Sequence, residues 1–224
     1  MSLAKSHFAE IADELASSFA VSFAPSLADS YRPRFNLAPT DAHFVLLGQQ
    51  EKRLQPAFWG FSGGPGRPPL FNARSETAPV LMSFRSAFAQ GRCVVPADGF
   101  YEWGGQADER RAHWLHRRDG RLLLMAGLHQ DEADAGGRVP RFSVLTTRAN
   151  PTLAPLHHRM PVILAPEDVE RWLAVGDVGL LRPAPDDVLA LTPVSNRVNS
   201  VKNDDPACRT PVAAGQAARQ LRLF

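Results

Sequence analysis

Apolar residues in this chain come in short runs, and Gly or Pro ends almost every one. AHFVLL (Ala42–Leu47), PAFWGF (Pro56–Phe61), RFSVLTT (Arg141–Thr147) and RMPVIL (Arg159–Leu164) have the length of strands and are too short for ordinary helices. Turn formers separate them, as in SGGPGRPP at Ser62–Pro69. Three stretches carry helical spacing instead. HFAEIADELASSF puts Phe8, Ile11, Ala12, Leu15, Ala16 and Phe19 on one face, with Ser6 as the expected N-cap. APVLMSFRSAFAQG runs from Ala78 to a stop at Gly91, and APEDVERWLAVG has Pro166 near its start and Gly176 at its end. Asp98-Gly99 and Asp119-Gly120 each lie between apolar runs and predict hairpins. The fold class expected is α+β: a single domain over residues 1–224 of many short, mostly antiparallel strands, barrel-like, with a few flanking helices.

Composition narrows the function classes. The hydrophobic fraction of 44% is ordinary for a globular chain. No apolar run approaches the roughly 18 residues of a membrane span. Lys5, His7, Glu10, Asp13 and Glu14 break any signal-peptide pattern, so a cytoplasmic protein without a membrane partner is expected. Cys93 and Cys208 have no CxxC or His-rich neighbourhood, which argues against zinc. The formal charge of +2 excludes a polycation. Of the 25 basic residues only Lys5, Lys52 and Lys202 are lysine. That bias fits a GC-rich genome, and it also suits phosphate contact through the guanidinium fork. Nucleic acid, if bound, would lie in a local basic groove.

Four polar islands interrupt the apolar pattern: NARSET (Asn72–Thr77), CVVPADGFYEW (Cys93–Trp103), LHHRMP (Leu156–Pro161) and VSNRVNSVKND (Val194–Asp204). Each has a structural reading. Asn72 can cap a helix, Arg74 and Glu76 can be solvated, Asn196, Asn199 and Asn203 can close turns, and His157 and His158 can sit in a loop. Glu102 has two. In an extended segment it shares a face with Phe100, while Tyr101 and Trp103 share the other. It is either a charge facing water or a carboxyl held among rings, where it can trade a proton near neutral pH.

Taken in order, FNLAPT, FWGF, FNARSET, CVVPADGFYEW, LTTRANP, LHHRMPVIL and VSNRVNSVKN resemble the SRAP family, the SOS response-associated peptidases, also described as abasic-site processing proteins. The resemblance spans about Arg34 to Asn203. It implies binding to single-stranded DNA that carries abasic sites, covalent capture of the ring-opened sugar by an N-terminal cysteine through a Schiff base and a thiazolidine, no metal or organic cofactor, and a monomer. DNA-damage (SOS) functions, with peptidase, hydrolase and lyase activities, come with the family. The catalytic positions carried over are Asn72, to hold the sugar or the N-terminus; Glu102, to move protons; and His157, to open the sugar or protonate the leaving group. Arg74, Arg85, Arg159 and Arg34 would meet phosphates. Trp59 would stack on a base, unless it is a core tryptophan, and Asn36 and Pro39 would line the lesion pocket.

One element of the pattern is missing. The family begins Met-Cys-Gly-Arg-Phe or close to it, whereas this chain begins MSLAKSHFAEI and has no cysteine before Cys93. Aligning His7-Phe8 with the family's Arg-Phe puts Lys5 at the cysteine position. Met1-Ser2-Leu3 is open to two readings, native or a cloning remnant. Without the thiol three functions stand: Schiff-base chemistry by the N-terminal amine or Lys5, non-covalent reading of lesions, and, most distantly, a peptidase reaction through Ser2, if it is native and exposed by removal of Met1. An unshifted α-amine keeps a substantial neutral fraction at physiological pH, and an unshifted lysine does not.

Overall fold

The computed structural model describes residues 1–49, 51–105, 110–134 and 136–212. The last part of the expected 1–224 domain lies outside them. In chain order the elements are α1 (Phe8–Ala16), β1 (Val21–Phe23), α2 (Pro25–Ser30), β2 (Ala42–Leu47), β3 (Lys52–Trp59), β4 (Asn72–Arg74) and α3 (Arg85–Gln90). Then follow β5 (Arg92–Ala97), β6 (Phe100–Gly104), β7 (Arg111–Arg117), β8 (Leu123–Asp134), β9 (Gly137–Arg148), β10 (Arg159–Pro161), β11 (Ile163–Leu164), α4 (Val169–Val175) and β12 (Leu189–Pro193).

Five strands close into a barrel in the order β3-β2-β5-β8-β9 and back to β3. Their pairings are antiparallel except at the closing seam, where Phe58 and Trp59 of β3 run parallel to Arg141 and Phe142 of β9. β1, β4, β10 and β11 extend this sheet, and β12-β7-β6 form a second, three-stranded sheet. The expected α+β architecture with a barrel is therefore what the chain adopts. Cys93, Val94, Val95 and Ala97 are fully buried because β5 faces the barrel interior on one side and α4 covers the other. Trp172 of α4 is completely enclosed and donates its indole N–H to the Cys93 carbonyl at 2.9 Å, which satisfies the one polar atom of a large apolar ring.

Both expected hairpins are corrected. β5 belongs to the barrel and β6 to the small sheet, so Asp98-Gly99 is a corner between sheets. β7 likewise pairs with β6 and β12, and β8 with β5 and β9. At Asp119-Gly120 the turn itself forms: Gly120 takes φ +72° and the Asp119 carboxylate accepts from the Arg121 amide. A turn signal says where a chain reverses, not which strand it meets next. At Gly99 a Cβ would lie 2.1 Å from Trp114 Nε1, so the corner closes only with glycine. The helix from Ala78 is corrected as well: residues 75–84 form a series of tight turns, and only Arg85–Gln90 is helical. His7, not Ser6, is the N-cap of α1, and its N–H donates to Glu10 Oε1.

The Asp98 carboxylate has turned back onto the amino-terminal segment. It accepts from Ser2 Oγ at 2.5 Å and from the Ala4 N–H at 2.7 Å, and it pairs with Arg209 at 3.0 Å. Main-chain bonds fix the same segment: Ser2 to Gly99, Leu3 to Arg34, and Leu37 to the Met1 carbonyl. Arg209 is itself held between the rings of Phe35 and Trp114. Asp98→Ala leaves the Arg209 guanidinium and the Ala4 amide without their carboxylate acceptor and the Ser2 hydroxyl with only the longer contact to Gly99 O at 3.4 Å, so urea unfolding should register a loss of about 3 kcal/mol. A loss below about 1 kcal/mol would show that the main-chain bonds alone hold the segment.

Candidate functional site

The amino-terminal segment ends in a cavity of about 530 Å³ at the side of the barrel. Met1 supplies one wall and Glu102 of β6 another; Asn72 and Arg74 of β4, Trp59 of β3, and His157 just before β10 complete it. Strand alternation explains the aim of several of these side chains. In β4 the middle residue Ala73 is buried, so Asn72 and Arg74 face outward together. β4 reaches this place by parallel pairing with Val144–Thr146 of β9. In β6, Tyr101 and Trp103 pack on Val194 and Val198, and their polar atoms donate to Phe35 O at 2.6 Å and Asn199 Oδ1 at 2.7 Å. Phe100 joins the main core, and Glu102 remains at the cavity wall.

Three titratable groups converge here. The Met1 α-amine is buried and donates to Leu37 O at 3.1 Å. Burial pushes its pKa from 8.0 to about 5, against the pull of Asp98, Glu102, Asp41 and Asp204. At neutral pH it is a free amine. The Glu102 carboxyl moves the other way: burial raises its pKa, and the nearby His157 and α-amine oppose the shift. His157 Nδ1 lies 3.9 Å from Glu102 Oε1. The same nitrogen is 2.9 Å from the Arg159 carbonyl and 3.2 Å from its N–H, so its tautomer decides which it meets. An uncharged amine, a carboxyl that holds its proton more tightly than usual and an imidazole form a set suited to carbonyl addition and proton transfer.

The other sequence candidates separate by their partners. The Asn72 amide has no hydrogen-bond partner among the described residues and is exposed at the cavity. Arg74 and Arg85 are exposed and have no carboxylate partner there. Arg85, in α3, does not line the cavity. Arg159 lines it, yet its guanidinium is held by both oxygens of Glu76 at 2.8 Å and by the Thr146 carbonyl at 2.6 Å. Arg34 pairs with Asp41 and Asp204 away from the cavity. The Asn36 amide donates to the carbonyls of Val198, Ser200 and Asn203, which anchors the polar island at 194–204; neither it nor exposed Pro39 lines the cavity. Trp59 combines its two readings: it borders the cavity, and its ring also runs parallel to Phe142 and donates to Phe71 O.

Lys5 and Ser2 lie elsewhere. Lys5 Nζ donates to Gly120 O at 3.4 Å and pairs with Glu14 at 3.5 Å, on the far side of the amino-terminal segment. Ser2 Oγ is enclosed between Asp98 and Trp114. The segment is extended, so Met1 and Ser2 point to opposite sides of it. Residue 1 therefore lines the cavity and Lys5 does not. The apolar lining from Phe71, which opens the FNARSET motif, and from Leu81, which lies outside the motifs, is a further part of the cavity.

Two buried bases, the α-amine and His43, carry fewer protons folded than unfolded. His43 is held down to about 4 by burial and donates to Pro96 O at 2.7 Å. Unfolding therefore takes up protons, and stability falls as pH drops from 8 toward 5 and below. Glu102 acts in the opposite sense above pH 4.5. In urea denaturation from pH 8 to 5, Glu102→Gln should lose more stability than the unsubstituted protein, by on the order of 1 kcal/mol. Parallel profiles would remove the carboxyl from this balance.

Comparison with known proteins matches residues 4–201 to the family described as SOS response associated peptidase (SRAP). The chain is 30% identical to the abasic site processing protein YedK of Escherichia coli over 189 residues, covering 80% of this chain and 85% of YedK. It is also 30% identical to the abasic site processing protein HMCES of Gallus gallus, covering 83% of this chain and 68% of that one. An X-ray structure of a Bacteroides thetaiotaomicron protein shares the fold with a TM-score of 0.77 at 20% identity, over 95% of this chain and 99% of its own. A Bordetella bronchiseptica protein does so with a TM-score of 0.69 at 26% identity, over 82% and 95%. Among the described residues no helix is long and apolar enough to cross a membrane, and no cluster of His, Cys, Asp and Glu is arranged to hold a metal ion.

Proposed function

The chain belongs to the SOS response associated peptidase family, and from that membership we propose that it processes abasic sites in single-stranded DNA, as part of a DNA-damage response, by forming a Schiff base with its α-amine. The observation that carries this reading is the gathering of an amine neutral at physiological pH, a carboxyl of raised pKa and an imidazole around one cavity.

The steps follow from the groups. The ring-opened sugar presents an aldehyde at C1′. The amine lone pair attacks that carbon, and the carbonyl oxygen takes up a proton to give a carbinolamine. Glu102, in its protonated form, donates to the departing hydroxyl, which leaves as water while the C=N bond forms. The ionised Glu102 then recovers the proton lost by nitrogen, with His157 as relay to solvent. The sum is amine plus aldehyde giving imine plus water, with Glu102 restored. Asn72 holds a sugar hydroxyl, and Arg74 and Arg85 meet phosphates. Cys93 and Cys208 are both buried, and Cys93 has its thiol pKa raised by burial, so neither offers the thiol that closes a thiazolidine. The imine is then the end product, reversible and able to promote strand cleavage by β-elimination. The peptidase reading has no support in the geometry, because Ser2 Oγ is enclosed away from the cavity.

One observation favours a non-covalent reader instead: the α-amine is already engaged with Leu37 O. Incubation with a single-stranded oligonucleotide containing one abasic site, with and without borohydride, separates the two on a denaturing gel. A shifted band only with borohydride, mapped by mass spectrometry to the first residue, is the expected result. Glu102→Gln should slow trapping by about 10- to 100-fold. Lesion binding on a native gel with no trapped band would make the protein a reader.

A further inference from the structure

Beside the cavity mouth three consecutive apolar residues stand in solvent. Val80 is 74% exposed, Leu81 47% and Met82 82%. They are not a loose loop. Thr77 and Ala78 donate to the Arg74 carbonyl, Val80 and Leu81 to the Thr77 carbonyl, and Phe84 and Arg85 to the Leu81 carbonyl. Ala78 and Phe84, fully or nearly enclosed, anchor the two ends. The result is a rigid apolar tip. Leu81 reaches back to line the cavity together with Phe71, which is itself 39% exposed. A contiguous exposed apolar patch at the rim of a site marks a contact surface.

The charges around the tip indicate its occupant. Arg74 opens the turn series and Arg85 closes it, and both are exposed without a carboxylate partner among the described residues. Two free cations bracketing an apolar tip suit a polyanion with flat apolar faces, which is the chemistry of a single nucleic acid strand. They would not favour the apolar face of a second copy. Resting on the function proposed above, we propose that Val80, Leu81 and Met82 pack against the nucleobase next to the abasic nucleotide. A base beside such a lesion has lost its stacking neighbour. Apolar side chains, Leu and Met among them, fill such a gap between base steps.

The test uses the full chain and a single-stranded oligonucleotide with one abasic site beside 2-aminopurine. An intact oligonucleotide serves as reference. Binding should change the 2-aminopurine fluorescence. Val80→Ser with Met82→Ser should abolish that change and weaken lesion binding about tenfold relative to intact DNA, with borohydride trapping at saturating DNA retained. Both positions are exposed, so the variant's melting temperature should match that of the unsubstituted protein. An unchanged preference and an unchanged fluorescence response in the variant would overturn the tip while leaving the lesion chemistry intact. Loss of self-association in sedimentation with unaltered DNA binding would also overturn it, because the patch would then serve a second copy. If the unsubstituted protein shows no preference for the abasic strand, the functional reading falls and the tip with it.

Discussion

The Asp98 carboxylate accepts from the Ser2 hydroxyl and the Ala4 amide and pairs with Arg209, whose guanidinium is clamped between two aromatic rings. Those contacts tie the first residues of the chain to the corner where the barrel strand β5 passes into the small sheet. Gly99 lets that corner lie against Trp114, and Asp98 uses the corner to hold the amino-terminal segment extended. Extension sends Met1 to one side and Ser2 to the other. Residue 1 thus stands in the cavity wall, with its amine buried against Leu37 O, through a chain of geometric consequences that begins with one buried carboxylate.

Inside the cavity a single cause acts on two groups with opposite results. Burial disfavours charge, so it lowers the amine and raises the carboxyl. In water the two would form an ion pair at neutral pH. Here each is biased toward its uncharged form, a free base facing an acid that keeps its proton longer. Separating acid and base roles by environment is a general way to run proton transfer near pH 7.

Much of this was legible in residue patterns. The buried face of α1 at Phe8, Ile11, Ala12 and Leu15, the short apolar runs of β2 and β9, and the stop of α4 at Gly176 appear as expected, whereas α1 ends before Phe19 and Pro166 opens a 3-10 turn that leads into α4. Asn72, Glu102 and His157 stand around one cavity. What was not legible was pairing. Asp-Gly turns mark reversals, but partner choice depends on long-range closure, and here both turns carry the chain between sheets. The arginines were hidden for a related reason. Arg34, Arg74, Arg85 and Arg159 look alike as letters, and only the placement of Asp41, Asp204 and Glu76 separates those already paired from those with no carboxylate partner among the described residues. Lys5 was expected at the cysteine position from a linear register. A strand sets side chains by alternation and main-chain bonds, and these put residue 1 at the cavity.

The cavity's walls come from residues far apart in the chain: the amino end, Trp59, the strand at Asn72, the strand at Glu102 and the segment before Arg159. Such contacts form late, since closing long loops precedes their reward. The unfolded amine keeps its ordinary value of 8.0 and is mostly protonated at neutral pH; its neutral, nucleophilic form predominates once the barrel shuts around it. The reactive form of the amine is therefore a property of the closed barrel and not of the segment that carries it.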